Sequence, residues 1–246
     1  MSMIGYGHGS EWHLLRWLGY HRAGLRHQVA ESVGADDVEW LDLEPNLKPR
    51  DAFDRDLEWV NLDFLGRDDP ARVAWGRAWP RAGGRVGPHW DAVGRARFGT
   101  RTEWLLVEAK AHVGEVRSDC GATSPKSIAT IEAAFADAGP SFGVADPSSW
   151  SRGHYQLANR LTLLHVMNTN GAAARLVFVY FCGDDATRYG GGVECPPDAA
   201  GWQATLDEMH RHVGWAPGQG ALGARVHELF LSVDAAGASG EAPRPR

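Results

Sequence analysis

Two short runs, residues 88–94 (Pro-His-Trp-Asp-Ala-Val-Gly) and 104–110 (Trp-Leu-Leu-Val-Glu-Ala-Lys), constrain this chain more than any other feature. Both have the composition of β-strands, and the polar stretch 98–103 between them contains Gly99 and has the composition of a turn. A hairpin follows. Pairing Phe98 with Glu103 sets Val93 against Glu108 and Asp91 against Lys110. Side chains alternate along a strand, so Asp91, Val93, Glu108 and Lys110 then share one face, and a slip of one residue sends Asp91 to the other.

Unpaired charge is costly among apolar side chains, so an acid and a lysine at the end of an apolar strand need an explanation. Two carboxylates beside an ammonium form a site for a hard cation. Mg2+ takes oxygen ligands at about 2.0–2.1 Å, usually with one or two carboxylates, and keeps positions for water and phosphate oxygens. Such an ion acidifies water and polarises a phosphoryl group, while the ammonium offsets developing charge. An acid two residues before a lysine is a weak signal alone, expected roughly 0.4 times by chance for 31 acids and three lysines in 246 residues. The hairpin-placed Asp91 and the scarcity of lysine, three against 22 arginines, give it more weight. The competing interpretation is a structural charge cluster at a strand end.

The Asp91 and Glu108-Ala109-Lys110 constellation resembles the PD-(D/E)XK nuclease superfamily, the restriction-endonuclease-like fold. The resemblance implies catalytic roles for Asp91, Glu108 and Lys110, with Mg2+ or Mn2+ held by Asp91, Glu108 and the Ala109 carbonyl. It departs from the pattern in one place: Trp90 stands where a proline usually precedes the acid, and Pro88 comes three residues ahead of Asp91. It implies a metal-dependent nuclease hydrolysing phosphodiester bonds, with DNA preferred to RNA as the expected substrate. The alternative is an inactive module of the same fold that binds a protein or nucleic-acid partner in a defence or repair system.

The remaining elements are read in chain order. Residues 10–33 carry helical apolar stripes, with Ser10 as a cap and a break suggested by Gly19 and Gly24. In the resembled fold the first helix often sends an acid towards the metal. Glu11 and Glu31 are the candidates, and both also read as helix-surface glutamates. Strands are expected at 38–43 and 57–62 with a loop over 44–56, while 66–87 shows no clear period. Ser124-Pro125 opens a helix that Gly139-Pro140 ends.

A further helix over about 151–169 places Gln156 and Arg160 one turn apart, above a stripe of Leu157, Leu161 and Leu164. The resemblance implies that Gln156 faces the site, with Tyr155, Asn159 and Arg160 as substrate-binding neighbours. The apolar run 174–181 reads as a strand buried on both faces. A helix at 199–213 and a strand at 226–233 follow.

The expected fold is α/β: a mixed central sheet flanked by helices, with a restriction-endonuclease-like αβββαβ core and an extra C-terminal helix and strand. It spans 1–234 as a single domain, and 235–246 is expected to be a disordered tail. Widely spaced Cys120, Cys182 and Cys195 argue against a disulfide framework, and no apolar run approaches membrane-spanning length. The expectation is a cytoplasmic protein with nucleic acid as its partner, no membrane association, and room for a homodimer or a protein partner. The net charge of −6 gives no global nucleic-acid footprint, but residues 81–126 are net positive. That local excess fits either a phosphate-contacting patch around Arg95 and Arg97 or a solvated strand face.

Overall fold

The computed structural model describes residues 7–41, 59–80, 87–189 and 192–234. The N-terminal stripes form two helices, α1 (Ser10–Tyr20) and α2 (Arg22–Val33), which meet at His21, between the two glycines. Ser10 is not the cap. Gly9 holds that position without a side-chain bond, and the Ser10 hydroxyl donates instead to Glu115 Oε1 at 3.2 Å. Strand β1 (Asp37–Trp40) follows, shorter than expected, and residues 42–58 lie outside the described part, with the loop expected there. Of the strand expected at 57–62 the described residues include β2 (Trp59–Val60), which ends where Asn61 takes a left-handed φ of 52° and turns the chain.

The stretch 66–87 contains a helix that its period did not reveal, α3 (Pro70–Ala78). Asp69 caps it, its carboxylate accepting the Ala71 N–H at 2.9 Å, and Pro70 takes the first helical position. Trp75 and Trp79 stack at 4.6 Å and are buried, so both supply packing area. Residues 81–86 are outside the described part.

The hairpin is present in a different register. After the two-residue β3 (His89–Trp90) come β4 (Ala92–Phe98) and β5 (Arg101–Lys110), joined through Gly99-Thr100. Gly99 takes φ 60° at the first central position of this two-residue connection, a conformation that favours glycine. The tight turn pairs Phe98 with Arg101 and Val93 with Leu106, two residues from the expected pairing. A shift of two preserves the pleat, so Val93, Glu108 and Lys110 still share a face, while Asp91 lies at a break between β3 and β4.

Beyond β5 come α4 (Pro125–Ala138), α5 (Tyr155–Thr169), β6 (Ala174–Cys182), α6 (Ala199–Val213) and β7 (Val226–Ser232). Helix α5 starts later than expected, and residues 235–246 lie outside the described part. The architecture is α/β: a five-stranded mixed sheet in the order β1-β4-β5-β6-β7, flanked by helices. Strands β1, β4 and β5 are antiparallel, and β5, β6 and β7 run parallel across helical crossovers. Strands β2 and β3 form a separate two-stranded ribbon.

One sheet face packs Val38, Trp40, Leu105 and Val107 against Leu14, Trp17, Leu25 and Val29 of α1 and α2. The other packs Val93, Leu106 and Phe178 with Leu157, Leu161 and Leu164 of α5 and Trp202 of α6. On this second face Arg95 and Arg97 are exposed. Arg95 lies 4.7 Å over the Trp104 ring, and Arg97 faces Asp36 at 3.7 Å and Asp37 at 3.9 Å. Among the described residues no helix is long and apolar enough to cross a membrane.

Candidate active site

Between β3 and β4 the strand bends at Asp91, whose backbone N–H reaches the Val107 carbonyl at 3.2 Å. The bend turns the Asp91 side chain back onto the neighbouring strand, where its Oδ2 accepts the Ala109 N–H at 2.6 Å. An extended residue presents its N–H and C=O to the same side, so the Ala109 carbonyl faces the gap that Asp91 occupies.

Glu108 and Lys110 project from the same face of β5 and are both buried. Glu108 Oε1 accepts from Lys110 Nζ at 2.5 Å. Its Oε2 accepts from Arg160 Nε at 2.9 Å and Nη2 at 2.6 Å. Arg160 Nη2 also donates to the His89 carbonyl at 2.7 Å, Nη1 donates to Asn159 Oδ1 at 2.7 Å, and the guanidinium lies 4.9 Å over the Trp90 ring. Trp90 is therefore the platform for Arg160. Trp90 is itself fixed by its indole N–H, which donates to the Asn61 carbonyl at 2.8 Å.

The loop after β5 aims α5 at this cluster. Ser118 accepts the Tyr155 N–H on its carbonyl at 3.0 Å and the Gln156 N–H on its hydroxyl at 2.8 Å, and Asp119 accepts the Gly153 N–H at 2.7 Å. These bonds satisfy donors at the start of α5 and hold Gln156 Oε1 3.0 Å from Lys110 Nζ. The cluster opens into a cleft of about 480 Å3, whose lining includes Ser10, Gly87, His89, Asp119 and Tyr155 besides the residues above. Gly87 is required there. It takes φ 132°, and a Cβ would lie 1.6 Å from Asn61 Oδ1.

The electrostatics separate the two carboxylates. Burial, and then the charge on Glu108, push Asp91 up to about 7, while the Ala109 N–H, Lys110 and Arg160 offset this only in part. Burial pushes Glu108 up as well, but Arg160 and Lys110 together outweigh it and hold the carboxyl below the ordinary glutamate range. Glu108 is thus ionised throughout the neutral range, whereas Asp91 exchanges its proton there. Burial also raises the Tyr155 hydroxyl well above its usual range, so it faces the cleft as a neutral phenol.

The structure brings Asp91, Glu108, Ala109, Lys110, Tyr155, Gln156, Asn159 and Arg160 to one cleft. Asn159 and Arg160 belong to its lining, but they are 5% and 4% exposed and bonded to the protein. Glu11 and Glu31 are both exposed and line no part of it; Ser10 is the contribution of α1. Glu115 is committed to the Ala111 N–H at 2.6 Å. Among the described residues no three His, Cys, Asp or Glu side chains are grouped to hold a metal.

The sequence reading missed two features: the pairing of Arg160 with Glu108, and the platform role of Trp90. Comparison with family models, with curated proteins and with solved structures gives no match.

Proposed function

We propose that the chain is a metal-dependent nuclease that hydrolyses phosphodiester bonds, with DNA preferred to RNA. The observation that carries the reading is the meeting of Asp91, Glu108 and Lys110 in one open cleft, with Gln156 reaching Lys110 from the crossover helix. The order of elements supports it too. Three antiparallel strands, a helical crossover and a parallel fourth strand are the arrangement expected of a restriction-endonuclease-like core. Because one fold serves many functions, the side chains carry more of the argument than the topology.

The donor set fits a hard divalent ion. Asp91, Glu108 and the Ala109 carbonyl offer oxygen only, and Mg2+ commonly binds through one or two carboxylates with water completing its shell. The rise in Asp91 comes partly from Glu108, a repulsion that a cation between them would relieve. When bound there, Mg2+ or Mn2+ would polarise the phosphoryl group and acidify water.

The protein's own groups supply the rest. Arg160 and Lys110 keep Glu108 ionised. Lys110, held between Glu108 and Gln156, presents an ammonium that stabilises charge building on the phosphate. Asp91 ionises near neutrality, which makes the site sensitive to pH in the physiological range. The same reading puts the enzyme in the cytoplasm, leaving room for a homodimer or a protein partner.

The test is cleavage of end-labelled DNA and RNA strands in Mg2+ and in Mn2+ by the native chain, Asp91→Ala and Glu108→Ala. Cleavage by the native chain that both variants lose is expected. Equal cleavage by all three would remove the site assignment. A second reading, a non-cleaving module that binds a nucleic-acid or protein partner, has one observation in its favour: Lys110 and Arg160 already satisfy both Glu108 oxygens. Tight nucleic-acid binding with no cleavage in either ion would select it.

A further inference from the structure

We propose that Arg160 is a built-in cation that limits the centre to one divalent ion per chain, and that Lys110 is the group that yields when this ion enters. The inference rests on the nuclease reading and concerns how Glu108 divides its two oxygens.

The two cations on Glu108 differ in how firmly they are held. Arg160 is anchored on every side. It makes two bonds to Glu108 Oε2, one to the His89 carbonyl and one to Asn159 Oδ1, its guanidinium lies over Trp90, and it is 4% exposed. A planar guanidinium bonded in this way has little room to move, and removing it would leave several partners unsatisfied. Lys110 has two side-chain partners, Glu108 Oε1 at 2.5 Å and Gln156 Oε1 at 3.0 Å, at the end of a four-carbon stem. It can leave the first and keep the second.

The placement of the two oxygens completes the argument. Both Arg160 groups that bond Glu108 reach Oε2, so that oxygen faces a fixed positive charge. Oε1 is held by Lys110 alone, in the cleft that Asp91 also lines. A divalent ion using Asp91, the Ala109 carbonyl and Glu108 Oε1 needs only Lys110 to shift towards Gln156. A second ion on Oε2 would have to displace the guanidinium. Arg160 is thus a positioning residue: it fixes the Glu108 carboxylate and occupies the side where another ion would bind.

The experiment is calorimetric titration of Mn2+ into the native chain, Arg160→Met, Arg160→Lys and Lys110→Met, with DNA cleavage followed in the same buffers and folding checked by circular dichroism. The native chain and Arg160→Lys are expected to bind one ion, and Arg160→Met two. Lys110→Met is expected to bind one ion about tenfold more tightly, since a neighbouring positive charge has been removed. Two ions in the native chain with cleavage intact would overturn this inference and leave the nuclease reading standing. One ion of native affinity in a folded Arg160→Met would reduce Arg160 to a structural brace and also overturn it.

Should Arg160→Met fail to fold, the native stoichiometry and Lys110→Met decide. One ion, with tighter binding in Lys110→Met, supports the division of roles, whereas unchanged affinity refutes it. No ion in any variant together with no cleavage would end both this inference and the nuclease reading.

Discussion

Strand β5 carries two buried glutamates, each bonded to two cations, and they differ in everything else. Glu103, near the start of the strand, accepts from Arg175 Nε at 2.7 Å and Arg225 Nη1 at 3.0 Å, and is 3% exposed. Glu108, near its end, is equally buried and bonded to Lys110 and Arg160. The odd-numbered Glu103 points to the α1–α2 face and the even-numbered Glu108 to the α5 face. Around Glu103, Arg175 stacks on Phe98 at 4.5 Å and Arg225 also bonds the Ala174 carbonyl at 3.3 Å, which ties three strand ends together. Around Glu108 there is a second carboxylate, a carbonyl facing it and an open cleft. A buried, doubly paired acid is therefore no mark of catalysis by itself. The second acid and access to solvent separate a candidate site from a structural clamp.

The largest expected effect is on cleavage. Glu108→Gln should lower metal-dependent hydrolysis at least about 1,000-fold, while Glu103→Gln stays within about threefold of the native rate, measured under single-turnover conditions. Comparable losses in both would erase the distinction between the two acids. Lys110→Met should lose about 100-fold, mainly in the rate of the chemical step.

Stability should show a smaller contrast. Arg160→Met breaks a fully buried network and should cost about 3 kcal/mol in denaturant unfolding. Arg175→Met leaves Glu103 with Arg225 in a more exposed setting and should cost about 1 kcal/mol. Equal costs would mean that burial does not distinguish the clusters.

A further expected effect is on pH dependence. Asp91 rises from 3.8 to about 7 on folding, so without metal the folded state is favoured while the acid is protonated in both states. That advantage is lost as pH rises from about 4 through 7. Asp91→Asn should flatten this decline and make the metal-free protein at pH 8 more stable by up to about 2 kcal/mol, an amount reduced by the water that reaches the cleft. Thermal melts across pH 4–8 check it, and an unchanged slope would show that Asp91 is already ionised at low pH.

Much of this was legible in the chain because period-two patterning survives local error. The hairpin turn is tighter than residues 98–103 suggest, yet the two-residue difference left Val93, Glu108 and Lys110 on one face, and Asp91 reaches the same cleft from the bend before β4. The Ser124-Pro125 signal acts locally, and α4 begins immediately after Ser124. What stayed hidden depends on tertiary partners. Spacing gave Arg160 a polar helix face, but its place is inside the protein because Glu108, 52 residues away, accepts its bonds. Helix α3 was obscured by glycine and arginine, although Asp69-Pro70 followed by Ala71, Ala74, Trp75 and Ala78 was a usable signal. Glu11 and Glu31 were suggested by the resemblance alone, and the helices carrying them turn Leu14, Trp17, Leu25 and Val29, not these acids, to the sheet.

The measurement that bears most directly on the central claim is hydrolysis of a labelled DNA strand in Mg2+ by the native chain, Asp91→Asn and Glu103→Gln at equal concentration of folded protein. The account predicts cleavage by the native chain and Glu103→Gln, and none above background by Asp91→Asn. Cleavage by Asp91→Asn at the native rate would contradict it, because the cleft around Asp91 and Glu108 would then not be where the chemistry occurs.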